Sequence, residues 1–89
     1  MIKLTAIENA SGSRLLLRFS DGAFGVFDFQ SLIDANTEMT APLADQAFFD
    51  SCYIELGALA WPNGFDLSAP SLHRQLEKAG LLQRSAEAA

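Results

Sequence analysis

The sequence predicts an α+β domain in which an antiparallel sheet, built from two hairpins or a meander, packs against two or three short helices. Residues 14–19 alternate, with one apolar face and one mixed face, which is typical of a half-buried strand. Asp21-Gly22 supplies the positive φ angles that tight hairpin turns require. Ser68 and Gly80 mark the start and end of a helix near the end of the chain.

Three strands are predicted in the first half of the chain. The first covers residues 1–7, where apolar and polar side chains alternate, and a turn follows over residues 9–13. The second covers residues 14–19. The third covers residues 23–29, and together the three strands form an antiparallel meander.

Two short helical segments are predicted next. Residues 28–33 pass from a strand end into a helical turn. Thr40 is placed to cap a second helix, and Pro42 suits its first turn because the missing N–H is not needed there. The spacing of this second helix predicts a buried face made of Leu43, Ala47 and Phe48.

A second hairpin and a final helix complete the prediction. Short strands over residues 53–56 and 59–61 flank the turn residues Gly57-Ala58. The final helix begins after Ser68 and runs to about Ala79, with an apolar stripe on one face.

Length and composition predict one globular domain, residues 1–84, followed by a disordered tail at residues 85–89. Apolar residues make up 49% of the chain, which suits a packed core. No apolar run reaches the roughly 20 residues of a membrane span, and no secretory signal is recognisable. The single cysteine, Cys52, cannot form an internal disulfide, so a soluble cytoplasmic protein is expected.

The charges are segregated along the chain. The net charge is -5, and no Lys or Arg occurs between Phe19 and His73. This base-free segment repels phosphate backbones, so nucleic-acid binding through it is not expected. It is either a solvated acidic surface or a docking face for a basic partner. Its acids are Asp21, Asp28, Asp34, Glu38, Asp45, Asp50, Glu55 and Asp66.

The segment from Trp61 to Leu67 is the most densely specified part of the chain. A structural interpretation explains it as a strand that stops at Pro62, an Asn-Gly turn, and an aspartate that accepts a local hydrogen bond before the helix. The alternative is a recognition surface. Its binding residues would be Trp61, Asn63, Phe65 and Asp66.

No residue pattern predicts catalysis, a metal site or a cofactor. His73 is the only histidine and lacks the partners that a metal site needs, so it is expected to be packed or partly exposed. Cys52 has no base near it in sequence and is expected to fill space. The glycines form no phosphate-binding loop. The protein is therefore expected not to be an enzyme.

The ordered motifs of the chain resemble a small bacterial family of unknown function, number 2442. The resemblance spans about residues 2–75 and implies an α+β fold with no established catalytic residues. Genes of such proteins often lie beside that of another small protein, which implies a toxin–antitoxin-like partnership. Leu72-His73 replaces an aromatic usual in the family. The matching motifs are Phe19-Ser20-Asp21-Gly22, Gly25-Val26-Phe27-Asp28-Phe29, Leu43-Ala44-Asp45-Gln46-Ala47-Phe48-Phe49 and Leu59-Ala60-Trp61-Pro62-Asn63-Gly64-Phe65-Asp66-Leu67.

Three functional hypotheses follow. The leading one is a non-enzymatic protein-binding module, antitoxin-like, that caps a basic protein partner. The second is a self-associating structural or adaptor domain, such as a homodimer, since aromatics are abundant and short strands leave sheet edges open. The third is a weak DNA-binding regulator that uses Arg74, Lys78 and Arg84.

Overall fold

The computed structural model describes residues 1–84, so the tail predicted at residues 85–89 lies outside the described residues. The described part has the predicted α+β class, with antiparallel strands and short helices. The strands are β1 (Leu4–Ser11), β2 (Arg14–Phe19), β3 (Ala23–Asp28), β4 (Tyr53–Glu55), β5 (Ala58–Ala60), β6 (Asp66–Leu67) and β7 (Gln83–Arg84). The helices are α1 (Gln30–Ala35), α2 (Gln46–Phe49) and α3 (Ala69–Lys78), with a 3-10 turn at Ala41–Ala44.

The described strands form two antiparallel sheets. The first has the order β1-β2-β3-β7, and the second has the order β4-β5-β6. The predicted meander is confirmed as β1-β2-β3. Two strands were not predicted: β7 pairs with β3 through Ala23 and Arg84, and β6 pairs with β5 through Ala60 and Asp66. Each has only two residues, which is too short for alternation to be visible in sequence.

The predicted bounds of the first strand and turn are wrong. β1 begins at Leu4 and extends into the predicted turn as far as Ser11, where Asn9 pairs with Leu15 and Ser11 pairs with Arg14. A register irregularity between the two pairs accommodates the polar residues of this end. The turn itself is at Gly12, whose φ of 52° is easily adopted by glycine.

The alternation predicted for β2 is confirmed. Leu15, Leu17 and Phe19 face the core and are almost fully buried. On β3, Gly25 pairs with Leu17 on the same face. A Cβ at Gly25 would lie 2.7 Å from the backbone oxygen of Leu81, so glycine allows the chain after α3 to cross the sheet closely.

The last helix also follows its sequence signals. The Ser68 hydroxyl accepts a hydrogen bond from the Ser71 N–H, which is the predicted N-cap. At the other end Gly80 has a φ of 74°, and the Leu81 N–H donates to the Leu76 carbonyl. This pairing closes the helix with a glycine cap.

The predicted second helix is interrupted. Asp45 has an extended backbone, which separates the 3-10 turn from α2. The Thr40 side chain bonds to Thr37 instead of capping the helix. The break also rotates the buried face. Leu43 is buried as predicted, but Phe49 fills the core in place of Ala47, which is exposed, and Phe48, which is half-buried.

Substitution of two adjacent leucines tests which face of β2 lies in the core. Leu17→Ala removes a side chain that is 0% exposed, and we expect it to lower the free energy of unfolding by about 2–5 kcal/mol. Leu16→Ala, on the opposite and half-buried face, should cost less than half as much. Urea unfolding of dilute protein measures both values. Equal losses would contradict the described orientation of the strand.

Candidate functional site

The Trp61–Leu67 segment forms a hairpin turn and then a strand. The Gly64 N–H donates to the Trp61 carbonyl over 3.0 Å, and Gly64 has a φ of 90°. The Trp61 N–H then donates to the Phe65 carbonyl over 2.9 Å. The prediction that the chain passes straight from Pro62 and the turn to the helix is therefore wrong, because β6 returns alongside β5 first.

Trp61 is the centre of an aromatic cluster. Its side chain is 0% exposed, and its indole Nε1–H donates to the Phe49 carbonyl over 3.0 Å. Phe29 packs edge-on against the indole, with the ring centroids 5.8 Å apart. Phe65 stacks on it at 5.6 Å. The tryptophan thus joins β5, α2 and the end of β3.

Asn63 supplies the local acceptor that the sequence assigned to Asp66. The Asn63 Oδ1 accepts a hydrogen bond from the Phe65 N–H over 3.1 Å. Its Nδ2 donates to the Met39 carbonyl over 3.1 Å, which ties the turn to the loop before Thr40. Asp66 instead lies in β6 with an exposed side chain.

The four predicted binding residues differ in accessibility. Asn63 and Asp66 are exposed, Phe65 is half-buried and Trp61 is buried. A partner that bound here would contact Asn63, Asp66 and Phe65, whereas Trp61 would contribute only through its packing in the core. Binding through these residues stays a prediction.

The outer face of the three-stranded sheet carries two of the acids. Ala60 lies between Tyr53 on β4 and Asp66 on β6 in the strand register. Two residues away, Glu55 lies opposite Ala58. These five side chains therefore share one face. We call them the acidic sheet face. A shallow depression of about 280 Å³ is lined by Glu55, Leu56, Ala58, Ala60 and Asp66.

This face has the chemistry to hold a basic side chain. The alanines leave room above the sheet for an aliphatic stem, and the two carboxylates of Glu55 and Asp66 can accept hydrogen bonds from a cationic head group. Tyr53 is 43% exposed at the edge and offers an aromatic ring to a cation.

Most acids of the base-free segment form no ion pair with a base among residues 1–84. Asp28 pairs with Arg14 at 3.5 Å, and Asp21 pairs with His73 and Arg84. The other six lie on the exposed surface, and none forms an ion pair with a described residue. They are Asp34, Glu38, Asp45, Asp50, Glu55 and Asp66.

Sequence reasoning missed the cluster of Asp21, His73 and Arg84. The His73 ring is buried, lies edge-on to Phe19, and places Nε2 2.9 Å from the Asp21 carboxylate. The guanidinium of Arg84 lies 3.2 Å from the same carboxylate oxygen. The cluster ties α3 and β7 to the β2–β3 turn. His73 and Arg84 lie 52 and 63 residues after Asp21 in sequence, so no local pattern could reveal the cluster.

The electrostatics of Asp21 follow from this cluster. Burial acts to raise the pKa of the Asp21 carboxyl. The hydrogen bonds from the Ala23 N–H, His73 and Arg84 together outweigh that effect and lower the pKa below its ordinary value. The ionised carboxylate therefore stabilises the folded state.

The remaining candidate nucleophile and metal ligands are not brought together. Burial, followed by the charge of Asp50, raises the pKa of the half-buried Cys52 thiol, which disfavours the reactive thiolate. Within residues 1–84, no three His, Cys, Asp or Glu side chains are placed to hold a metal ion. No helix in that range is long and apolar enough to cross a membrane.

Trp61→Phe tests the buried indole hydrogen bond. The variant keeps an aromatic ring, but it leaves the Phe49 carbonyl without its donor and removes part of a fully buried side chain, so we expect the free energy of unfolding to fall by at least about 1–3 kcal/mol. Tyr53→Phe, at an exposed ring, should change it by less than about 0.5 kcal/mol. Chemical denaturation compares the two. Equal effects would show that the indole N–H contributes nothing.

Asp21→Asn tests the ionic cluster through pH. Folding lowers the pKa of Asp21. Its contribution to the free energy of unfolding is therefore fully present above its pKa in the unfolded chain, about 4, and is lost as the pH falls through its lower pKa in the folded protein. The variant should be less stable at neutral pH, and the difference should shrink as the pH falls below the ordinary pKa of an aspartate, about 4. Urea unfolding across this range, with Asp34→Asn as the control, measures it. A difference that stays constant with pH would contradict the assignment.

Comparison with known proteins gives one result. Residues 4–77 match the model of a family described as a protein of unknown function, DUF2442. Searches of curated proteins and of solved structures found no match. The matched range runs from the first residue of β1 to the last turn of α3, and so includes the acidic sheet face. The chain therefore belongs to the DUF2442 family.

Proposed function

We propose that this protein is a non-enzymatic protein-binding module that binds a basic protein partner. The observation that carries the proposal is the acidic sheet face. Glu55 and Asp66 stand there exposed, above a floor of alanines and beside Tyr53, with no ion pair to a residue in the range 1–84. A lysine or arginine side chain complements this surface in shape and in charge.

An antitoxin-like role fits the same charge pattern. An acidic module that caps a basic partner covers the positive surface through which that partner acts. The other exposed acids, such as Asp34 and Glu38 near α1, extend the negative potential and would speed encounter with a basic protein. Membership of a family without an assigned activity is compatible with this role.

The contacts of the reactive side chains support binding rather than catalysis. His73 is buried, and its Nε2 is engaged by Asp21. Cys52 is half-buried with a raised pKa. The DNA-binding alternative is weakened because Arg84 is held by Asp21, which leaves Arg74 and Lys78 as the bases of that surface.

Charge neutralisation on two surfaces tests the proposal. Glu55→Gln/Asp66→Asn should reduce recovery of a basic partner from the native host several-fold at low salt. Asp34→Asn/Glu38→Gln removes the same charge elsewhere and should reduce it much less. Wild-type binding should weaken in high salt, because salt screens exposed charges over about 10 Å at 0.1 M.

Co-purification followed by identification of the retained proteins provides the measurement. Recovery of no basic protein at low salt would refute the proposal. Equal losses in the two double variants would show that net charge, and not the acidic sheet face, determines binding. A mobility shift of DNA at low salt would favour the regulator instead.

A further inference from the structure

The four-stranded sheet has a second face that no described helix or strand covers. The strand register places Glu8 opposite Leu16 and Leu16 opposite Val26 in one row. The next row contains Ala6, Arg18 and Phe24. We call these six residues the outer patch. Val26 is 40% exposed, and Leu16 and Phe24 are half-buried, so the patch is apolar at its centre.

The charges of the outer patch are unpaired in the described part of the protein. The Arg18 guanidinium lies 5.3 Å from the centre of the Phe24 ring, and no described carboxylate forms an ion pair with it. Glu8 likewise forms no ion pair there. By contrast, Arg14 and Asp28 in the following row pair with each other. The patch therefore offers one free acid and one free base at its two sides.

These opposite charges favour a second copy of this chain as the occupant. A strongly basic partner would satisfy Glu8 but oppose Arg18, and a strongly acidic one would do the reverse. Another outer patch supplies both charges at once. Self-complementarity of this kind is what a two-fold symmetric interface requires.

The spacing of the patch allows this arrangement. Glu8 lies on the neighbouring strand, about 5 Å from Leu16. Arg18 lies on the same strand as Leu16, two residues further along and about 7 Å from it. A two-fold axis that lies between two facing patches, passes over Leu16 and bisects these two directions exchanges them. Each Arg18 then lies over the Glu8 of the other copy, while the two Leu16 side chains meet at the axis with Ala6 close to it. The strands of the two sheets cross steeply, as in orthogonal sheet packing.

We propose that the protein forms a two-fold homodimer through the outer patch, with reciprocal Arg18–Glu8 ion pairs around Leu16. Three strands of about five residues cover only roughly 15 by 17 Å. That is well below the approximately 800 Å² per partner of a standard interface. The dimer is therefore weak and dissociates on dilution. It uses a different sheet from the acidic sheet face and is independent of the proposed function.

Charge exchange tests the dimer. Sedimentation equilibrium of the wild-type chain should show a monomer–dimer equilibrium at the concentrations of an NMR sample. Glu8→Arg and Arg18→Glu each place like charges opposite one another and should raise the dissociation constant at least tenfold. The combined variant Glu8→Arg/Arg18→Glu should restore it. Glu55→Arg, on the other sheet, is the matched control and should leave it unchanged.

Three results would overturn the proposal. These are a wild-type chain that stays monomeric, a double variant that stays as weak as the single ones, and a loss of association in Glu55→Arg equal to that in Glu8→Arg. Circular dichroism and urea midpoints check that each variant folds. Backbone amide shifts on dilution of the wild type provide a second measurement, and they should be largest around Leu16.

Discussion

The burial of Trp61 is the constraint on which the rest of the structure depends. Two small sheets and several short helical segments cannot each enclose a core of their own. The indole provides one large apolar surface that Phe29 and Phe49 contact from the first sheet's end and from α2. Its N–H reaches the Phe49 carbonyl, so the same side chain also satisfies a buried polar group. Removing it would open a cavity where these elements meet.

The position of Trp61 also explains why the following turn is so strictly specified. The hairpin must return β6 to β5 across the five residues 61–65 while the indole points inward. Gly64 provides the positive φ, and Asn63 accepts from the Phe65 N–H, which lets Phe65 stack on the indole. As a result, Asp66 emerges on the opposite face of the sheet from the core. The packing requirement of the tryptophan thereby places a carboxylate on the acidic sheet face.

The sequence predicts well those elements whose causes are local. The alternation of β2, the Asp21-Gly22 hairpin and the boundaries of α3 depend on residues within one turn or strand of each other. The break at Asp45 could not be predicted, because no local signal in its neighbours ends a helix there, whereas the burial of Phe49 is a contact with distant parts of the chain. β6 and β7 are defined by their partner strands rather than by their own residues.

The same distinction applies to the candidate sites. The excess of acidic residues is visible in the sequence, but which of them form ion pairs depends on contacts between residues that are far apart in the chain. Asp21 is hydrogen-bonded by His73 and forms an ion pair with Arg84, whereas Asp66 has no such partner among residues 1–84. Of the predicted binding residues, Trp61 is buried. Its burial depends on aromatic residues from distant parts of the chain, which the local motif does not reveal.

The two proposed surfaces do not overlap. The acidic sheet face belongs to the β4-β5-β6 sheet, and the outer patch belongs to the β1-β2-β3-β7 sheet. Because they share no residue, occupation of one leaves the other free, and their binding free energies should add. A dimer then presents two acidic faces from one assembly. A partner with two basic segments that can span them would be held by both, so weak association of this chain would increase the strength of partner binding.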